Sequence, residues 1–182
     1  NGFKANQRLR RYKNIIESDK DLCLGSYCFL WGQKQESTST WHGMYLSNGH
    51  PTEAVDVMQY CWKGEWPAKR APSIMKIKLN GDNWKKNHVF KNREKVSLEY
   101  IYNKYDNDSL IFDFQLYPET FSNKGGGDYQ ESPDEIDFDI IKQSENNIIF
   151  NVPSKKGFYR IFVFVRNEIN QTSVANIPFK VE

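Results

Sequence analysis

From residue 74 onward the chain breaks into short runs in which apolar and polar residues alternate. The runs are 74–79, 88–91, 96–102, 110–117, 136–140, 147–152, 158–166 and 173–181. Turn residues close most of them, including Asn80-Gly81-Asp82 and the stretches 103–109, 123–128 and 167–170. A period of two puts successive side chains on opposite faces, so each run buries one face. Eight such runs with no helical pattern between them predict two stacked sheets, a β-sandwich. Composition agrees: aromatic residues are 15% of the chain, and aromatic and β-branched residues favour strands.

The run 158–166 carries the most detail. Tyr159, Ile161, Val163 and Val165 share one face, while Phe158, Phe162 and Phe164 alternate with Arg160 and Arg166 on the other. Gly157-Phe158-Tyr159, reached after Pro153, resembles the entry to the penultimate strand of immunoglobulin-like and PKD-like domains. That resemblance implies a Tyr near the corner bonded back to upstream backbone.

The first 70 residues follow a different grammar. Leu9, Tyr12, Ile15 and Ile16 fall on one side at helical spacing and predict a helix over 6–18. Residues 22–31 are almost continuously apolar, the pattern of a parallel strand covered on both faces. After an amide- and aromatic-rich loop, Thr52 caps a second helix over 53–62. Its stripe is Ala54, Val55, Met58, Cys61 and Trp62, and Gly64 closes it. Asn48-Gly49 supplies a tight turn before that helix. The expected fold is therefore mainly β: an immunoglobulin-like sandwich of seven to eight strands, preceded by a short α/β segment (helix–strand–loop–helix). The Pro-containing connector 67–72 divides residues 1–70 from 71–182.

A net charge of +2 is too small for a nucleic-acid partner, and Arg8, Arg10, Arg11 and Lys13 read as a solvated helix face. No apolar run is long enough to span a membrane. Cys23, Cys28 and Cys61 lack paired spacing and read as buried apolar residues. His42, His50 and His88 are scattered, so neither a metal nor a cofactor is expected. The acidic run from Asp128 to Asp139 lacks a calcium-loop spacing and reads as a solvated, edge-protecting strand. Asn107-Asp108-Ser109 and Asn170-Gln171-Thr172 match the N-glycosylation pattern.

The stretch 24–66, from SYCFLWGQKQE through TWHGMYL to TEAVDVMQYCWKGEWP, resembles the eighth β/α unit of a (β/α)8 barrel of the glycoside hydrolase superfamily. With VANIPFKV near the end, the whole chain resembles the tails of bacterial secreted proteins joining such a barrel to an immunoglobulin-like domain. The resemblance implies an extracellular or periplasmic protein and a missing N-terminal barrel as partner. It also implies Trp31 at the sugar subsite, because active sites of such barrels lie at the C-terminal strand ends. Trp31 and Trp41 offer faces for sugar rings, and Gln33, Gln35 and Glu36 offer hydrogen bonds to hydroxyls, so a poly- or oligosaccharide is the expected ligand. Trp62 and Trp66 are expected to glue the unit to the sandwich. Retaining glycosidases need two carboxylates about 5–5.5 Å apart, and the resemblance puts both on strands absent from this chain. The expectation is a non-catalytic portion whose 31–42 loop rims a sugar-binding cleft. The chain opens on Asn1 and is expected to continue a larger protein. An autonomous carbohydrate-binding module and a non-enzymatic adhesion or assembly domain are the alternatives. An orphan β/α unit leaves apolar surface bare, so 22–31 is expected to dock on the sandwich or pair with a second copy.

Overall fold

The computed structural model describes residues 2–106, 109–121 and 128–182. The Asn107-Asp108 pair of one glycosylation match and the glycine run 125–127 lie outside them. In chain order the elements are α1 (Gly2–Arg11), continued by a π-helical stretch Tyr12–Glu17, then β1 (Gln33–Glu36), β2 (Thr38–Gly43), α2 (Glu53–Lys63), β3 (Ser73–Leu79), β4 (Val89–Phe90), β5 (Lys95–Asn103), β6 (Ile111–Pro118), β7 (Ile140–Ser144), β8 (Asn147–Asn151), β9 (Gly157–Arg166) and β10 (Thr172–Val181). One sheet runs β4-β10-β9-β6 and the other β3-β5-β8-β7. Every pairing is antiparallel except β10 with β4. This is an immunoglobulin-like β-sandwich of two four-stranded sheets, preceded by a short helical segment.

Alternation determines the core. On β9 the odd-numbered residues Tyr159, Ile161, Val163 and Val165 are buried against Leu98, Tyr100 and Phe150 of the facing sheet in one cluster. The Tyr159 hydroxyl donates to the carbonyl of Lys155 at 2.7 Å, the corner bond that the resemblance implies. One run departs from expectation. Residues 136–139 form no strand, and β7 begins only at Ile140. They cross the sandwich edge instead: Ile136 N–H donates to Leu116 O of β6, and Asp139 O accepts from Asn151 of β8. Ile136 and Phe138 still turn inward while Asp137 and Asp139 stay exposed.

Both helices form, the first starting at Gly2 rather than at residue 6 and ending in the π-helical stretch. Thr52 Oγ1 accepts from Ala54 N–H at 3.4 Å, and Gly64, at φ 78°, donates its N–H to Tyr60 O. Ala5, Leu9 and Tyr12 pack on Ala54, Val57 and Met58 to make a second small core. Ile15, expected on that stripe, is 59% exposed.

The strand expected over 22–31 does not form. Leu22, Leu24, Tyr27 and Phe29 are exposed, Leu24 and Tyr27 fully. A strand requires a ladder partner for its backbone groups, and among the described residues none is paired with this run. It does not dock on the sandwich either. Arg8 holds it to α1 by donating to Phe29 O at 2.8 Å and to Cys28 Sγ at 3.2 Å. Cys23 and Cys28 are correspondingly half-buried, and only Cys61 is buried.

A buried polar joint ties α2 to the sandwich. Asp56 accepts from Ala71 N–H at 2.7 Å and from Gln171 Nε2 at 3.3 Å. Glu53 accepts from Ser173 Oγ at 3.1 Å, and that hydroxyl oxygen accepts in turn from Ile74 N–H. The Arg70 guanidinium sits 3.8 Å from the ring centres of both Trp66 and Tyr105, two cation–π contacts on opposite elements. Trp66 thus takes the gluing role expected of it, whereas Trp62 is half-exposed and packs on Trp31.

Burial pushes the Asp56 carboxyl up to about 6, against the opposing pull of the Ala71 bond and the Arg70 charge. Burial also raises Glu53. A raised carboxyl binds its proton more tightly when folded, so its contribution is complete below about pH 4 and is lost as pH rises through about 6. The wild type should therefore lose up to about 3 kcal/mol relative to D56N between those limits. Paired melts of the two proteins measure this, with exposed carboxylates cancelling in the difference. Separately, Tyr159→Phe should lower stability by about 1 kcal/mol through loss of the corner bond, read as a lower denaturation midpoint with an unchanged slope.

Candidate functional site

The stretch expected to be a rim loop is a hairpin. Ser37, at φ 57°, turns β1 into β2, and a bulge shifts the register between Lys34 and Glu36. Gly43, at φ 95°, passes so close to the preceding coil that an added Cβ would lie 2.4 Å from Gly32 O. Lys4 of α1 donates to the carbonyls of Thr40 and Trp41. Burial and the nearby Arg8 charge bring the Lys4 ammonium down to about 8.

The four expected sugar-binding residues occupy two separate settings. Trp31, 51% exposed, lies edge-on to Tyr45 and tilted against Trp62, each at 5.6 Å between ring centres. Trp41, 56% exposed, stands edge-on to His42 with Lys4 over its ring. Glu36 bonds Lys34 at 2.8 Å and lies 3.4 Å from His42. The Lys34 bond, reinforced by His42, holds its carboxyl below the usual range. Gln33 spends its amide on Ser39 O at 3.2 Å. Trp31 and Trp41 therefore keep free faces, while Gln33 and Glu36 are engaged within the hairpin.

A concavity lies elsewhere, on the other side of the hairpin. A cleft of about 220 Å³ opens between β1–β2 and the outer face of β6 and β9. Its floor holds Phe162 and Phe164, stacked at 6.1 Å, with Leu46 packed beside Phe162. One wall is the hairpin run Ser37, Thr38, Ser39, Thr40; the other carries Asp113, Gln115, Glu119 and Arg160. The Arg160 guanidinium forks onto both Glu119 oxygens, at 2.5 and 2.8 Å, and reaches Asn176 at 2.6 Å. Tyr117 donates to Gln115 and to Glu135, and burial followed by the Glu135 charge pushes its hydroxyl up to about 12. The hairpin tip is bolted on: Thr120 Oγ1 donates to Ser37 O at 2.9 Å, and Ser37 N–H to Gln130 at 2.9 Å.

Trp31, Gln33, Glu36 and Trp41 all lie outside the wall of this cleft. The signal for it was in β9, whose outer face carries Phe162 and Phe164 where a solvated sheet carries polar residues. An apolar face on both sides demands a second cover. Among the described residues no cluster of three His, Cys, Asp or Glu is placed to hold a metal ion, and no helix is long and apolar enough to cross a membrane.

No protein-family model matches the chain, and no curated protein matches it. Among solved structures, PcoC, a methionine-rich copper resistance protein from Escherichia coli, is similar at 12% identity and a TM-score of 0.36, covering 62% of this chain and 99% of its own. Murine CRIg is similar at 7% identity and a TM-score of 0.33, covering 61% and 96%. Both values are too low to carry an argument about function.

Gly43→Ala should strain the hairpin, since both the positive φ and the Gly32 carbonyl oppose a side chain. The expected loss is about 1–3 kcal/mol, read as a lower melting temperature with the sandwich signal intact in the near-ultraviolet spectrum.

Proposed function

We propose that this chain is the non-catalytic C-terminal portion of a secreted carbohydrate-active protein. In this reading the sandwich is a structural accessory domain, and the 31–42 hairpin is the rim of a sugar-binding cleft completed by a glycoside hydrolase-like (β/α)8 barrel. One observation carries the reading. Residues 22–31 have the composition of a strand covered on both faces, yet Leu22, Leu24, Tyr27 and Phe29 are exposed. A row of exposed large apolar residues marks a contact surface. It leads directly into Trp31, whose ring is backed by Trp62 and Tyr45 and whose outer face is free. Apolar aromatic faces beside a few polar groups suit carbohydrate.

Affinity electrophoresis tests the rim. Migration of this chain in gels containing xylan, mannan or mixed β-glucan should be retarded, and Trp31→Ala or Trp41→Ala should reduce the retardation at least about fivefold, the loss of roughly 1 kcal/mol of contact. Migration indifferent to every glycan, with specific capture of a protein partner, would establish the adhesion reading instead. Two Glu residues at barrel strand ends in upstream sequence would supply the catalytic pair.

A further inference from the structure

We propose that the cleft between the β1–β2 hairpin and the outer face of β9 is a second, independent binding site, for a single neutral sugar ring. The cleft has its own lining, separate from the rim that contains Trp31 and Trp41.

Size comes first. About 220 Å³ is below the roughly 300–1,000 Å³ of pockets for drug-sized ligands, so one small ring fits and an extended chain does not. Charge comes next. The carboxylates Asp113 and Glu119 are matched by the guanidiniums Arg160 and Arg166, and the Arg160 fork is fully spent on Glu119 and Asn176. Arg166 bonds only the Asn170 amide and Asp113 only Gln115, so the lining holds two guanidiniums and two carboxylates with no excess of either sign. The ligand that loses least is neutral.

Polar chemistry narrows the class. The hairpin wall is a run of four hydroxyl residues, and Thr120 and Ser132 also line the cleft, with their protons given to Ser37 O and Gln35 Oε1. Hydroxyls both donate and accept, and so match a ligand whose own groups do both. Gln115 and Asp113, bonded to each other at 2.9 Å, present planar groups that can hold neighbouring hydroxyls together. The floor of Phe162, Phe164 and Leu46 offers an apolar face to the C–H side of a ring. A peptide is disfavoured because β9 already gives its backbone hydrogen bonds to β10 on one side and β6 on the other. One further group is unsatisfied. The side-chain amide nitrogen of Gln35, on the cleft wall, is shielded from water and has no acceptor. Such a donor costs about 1–3 kcal/mol, and binding should turn that amide onto a ligand hydroxyl.

The test is titration of the isotope-labelled chain with glucose, galactose, mannose and xylose, with glucuronate and glucosamine as charged controls. A neutral sugar should shift the amide signals of Ser39, Gln115 and Arg166. D113A and Q115A should each weaken binding about tenfold, the worth of one hydrogen bond to a charged or planar group. Asp113 is exposed, so D113A reports on binding even if Q115A disturbs the Tyr117 contact. Lys142→Ala, on the exposed strand β7, should leave the affinity unchanged. The proposal is overturned if no neutral sugar moves these signals, or if a charged sugar binds more tightly than every neutral one. Shifts confined to the surroundings of Trp31 and Trp41 would support the rim and refute the cleft.

Discussion

The structure depends on two carboxylates taken out of water at the base of α2. An uncompensated buried charge is among the costliest features a fold can hold, so Glu53 and Asp56 must be met by donors placed for them. Those donors come from three separate places: Ala71 in the connector after α2, Gln171 in the turn before β10, and Ser173 at the start of β10. Satisfying them fixes the helical segment against the end of one sheet. The hairpin inherits its position from there, because Lys4 of α1 grips the hairpin carbonyls and α1 packs on α2. Arg70, clamped between Trp66 and Tyr105, orders the backbone that delivers the Ala71 donor. Local polar bonds thus set the orientation from which both candidate surfaces follow.

The outer face of β9 imposes a second constraint. Phe162 and Phe164 need cover, yet Arg160 and Arg166 on the same face need room and partners. A flat apolar lid would bury the guanidiniums; a solvated face would bare the rings. The hairpin resolves this by resting its tip on Thr120 and Gln130 and leaving a gap over the middle of the strand. The cleft is therefore a product of mixed patterning on β9, with Asp113 of β6 and Glu119 just beyond that strand bringing the carboxylates.

What the sequence shows depends on how local the cause is. Period-two runs became strands because alternation alone selects the buried face; the β9 core face, the Tyr159 corner and the Thr52 and Gly64 caps were all readable. Residues 136–139 kept the alternation but not the pairing, since Ile136 and Phe138 can bury themselves by crossing an edge without joining a ladder. The run 22–31 failed for the same reason taken further: a strand is a relation between segments, and none of the described residues pairs with this run. The hairpin was missed because Lys34, Glu36, Ser37 and Ser39 read as loop, and its strands owe their existence to Gly43, Lys4 and the contact with Thr120. Gln33 and Glu36, chosen for their polar chemistry, were already spent on neighbours that only the folded hairpin brings within reach.

The two candidate surfaces lie on opposite sides of one hairpin, and this bears on how they relate. On the proposed reading, Trp31 and the bare apolar run belong with the missing barrel, so that side is built to be covered. The cleft, whose rings already rest on the chain's own sheet and whose Arg160–Glu119 pair is internally closed, requires no further protein to complete it.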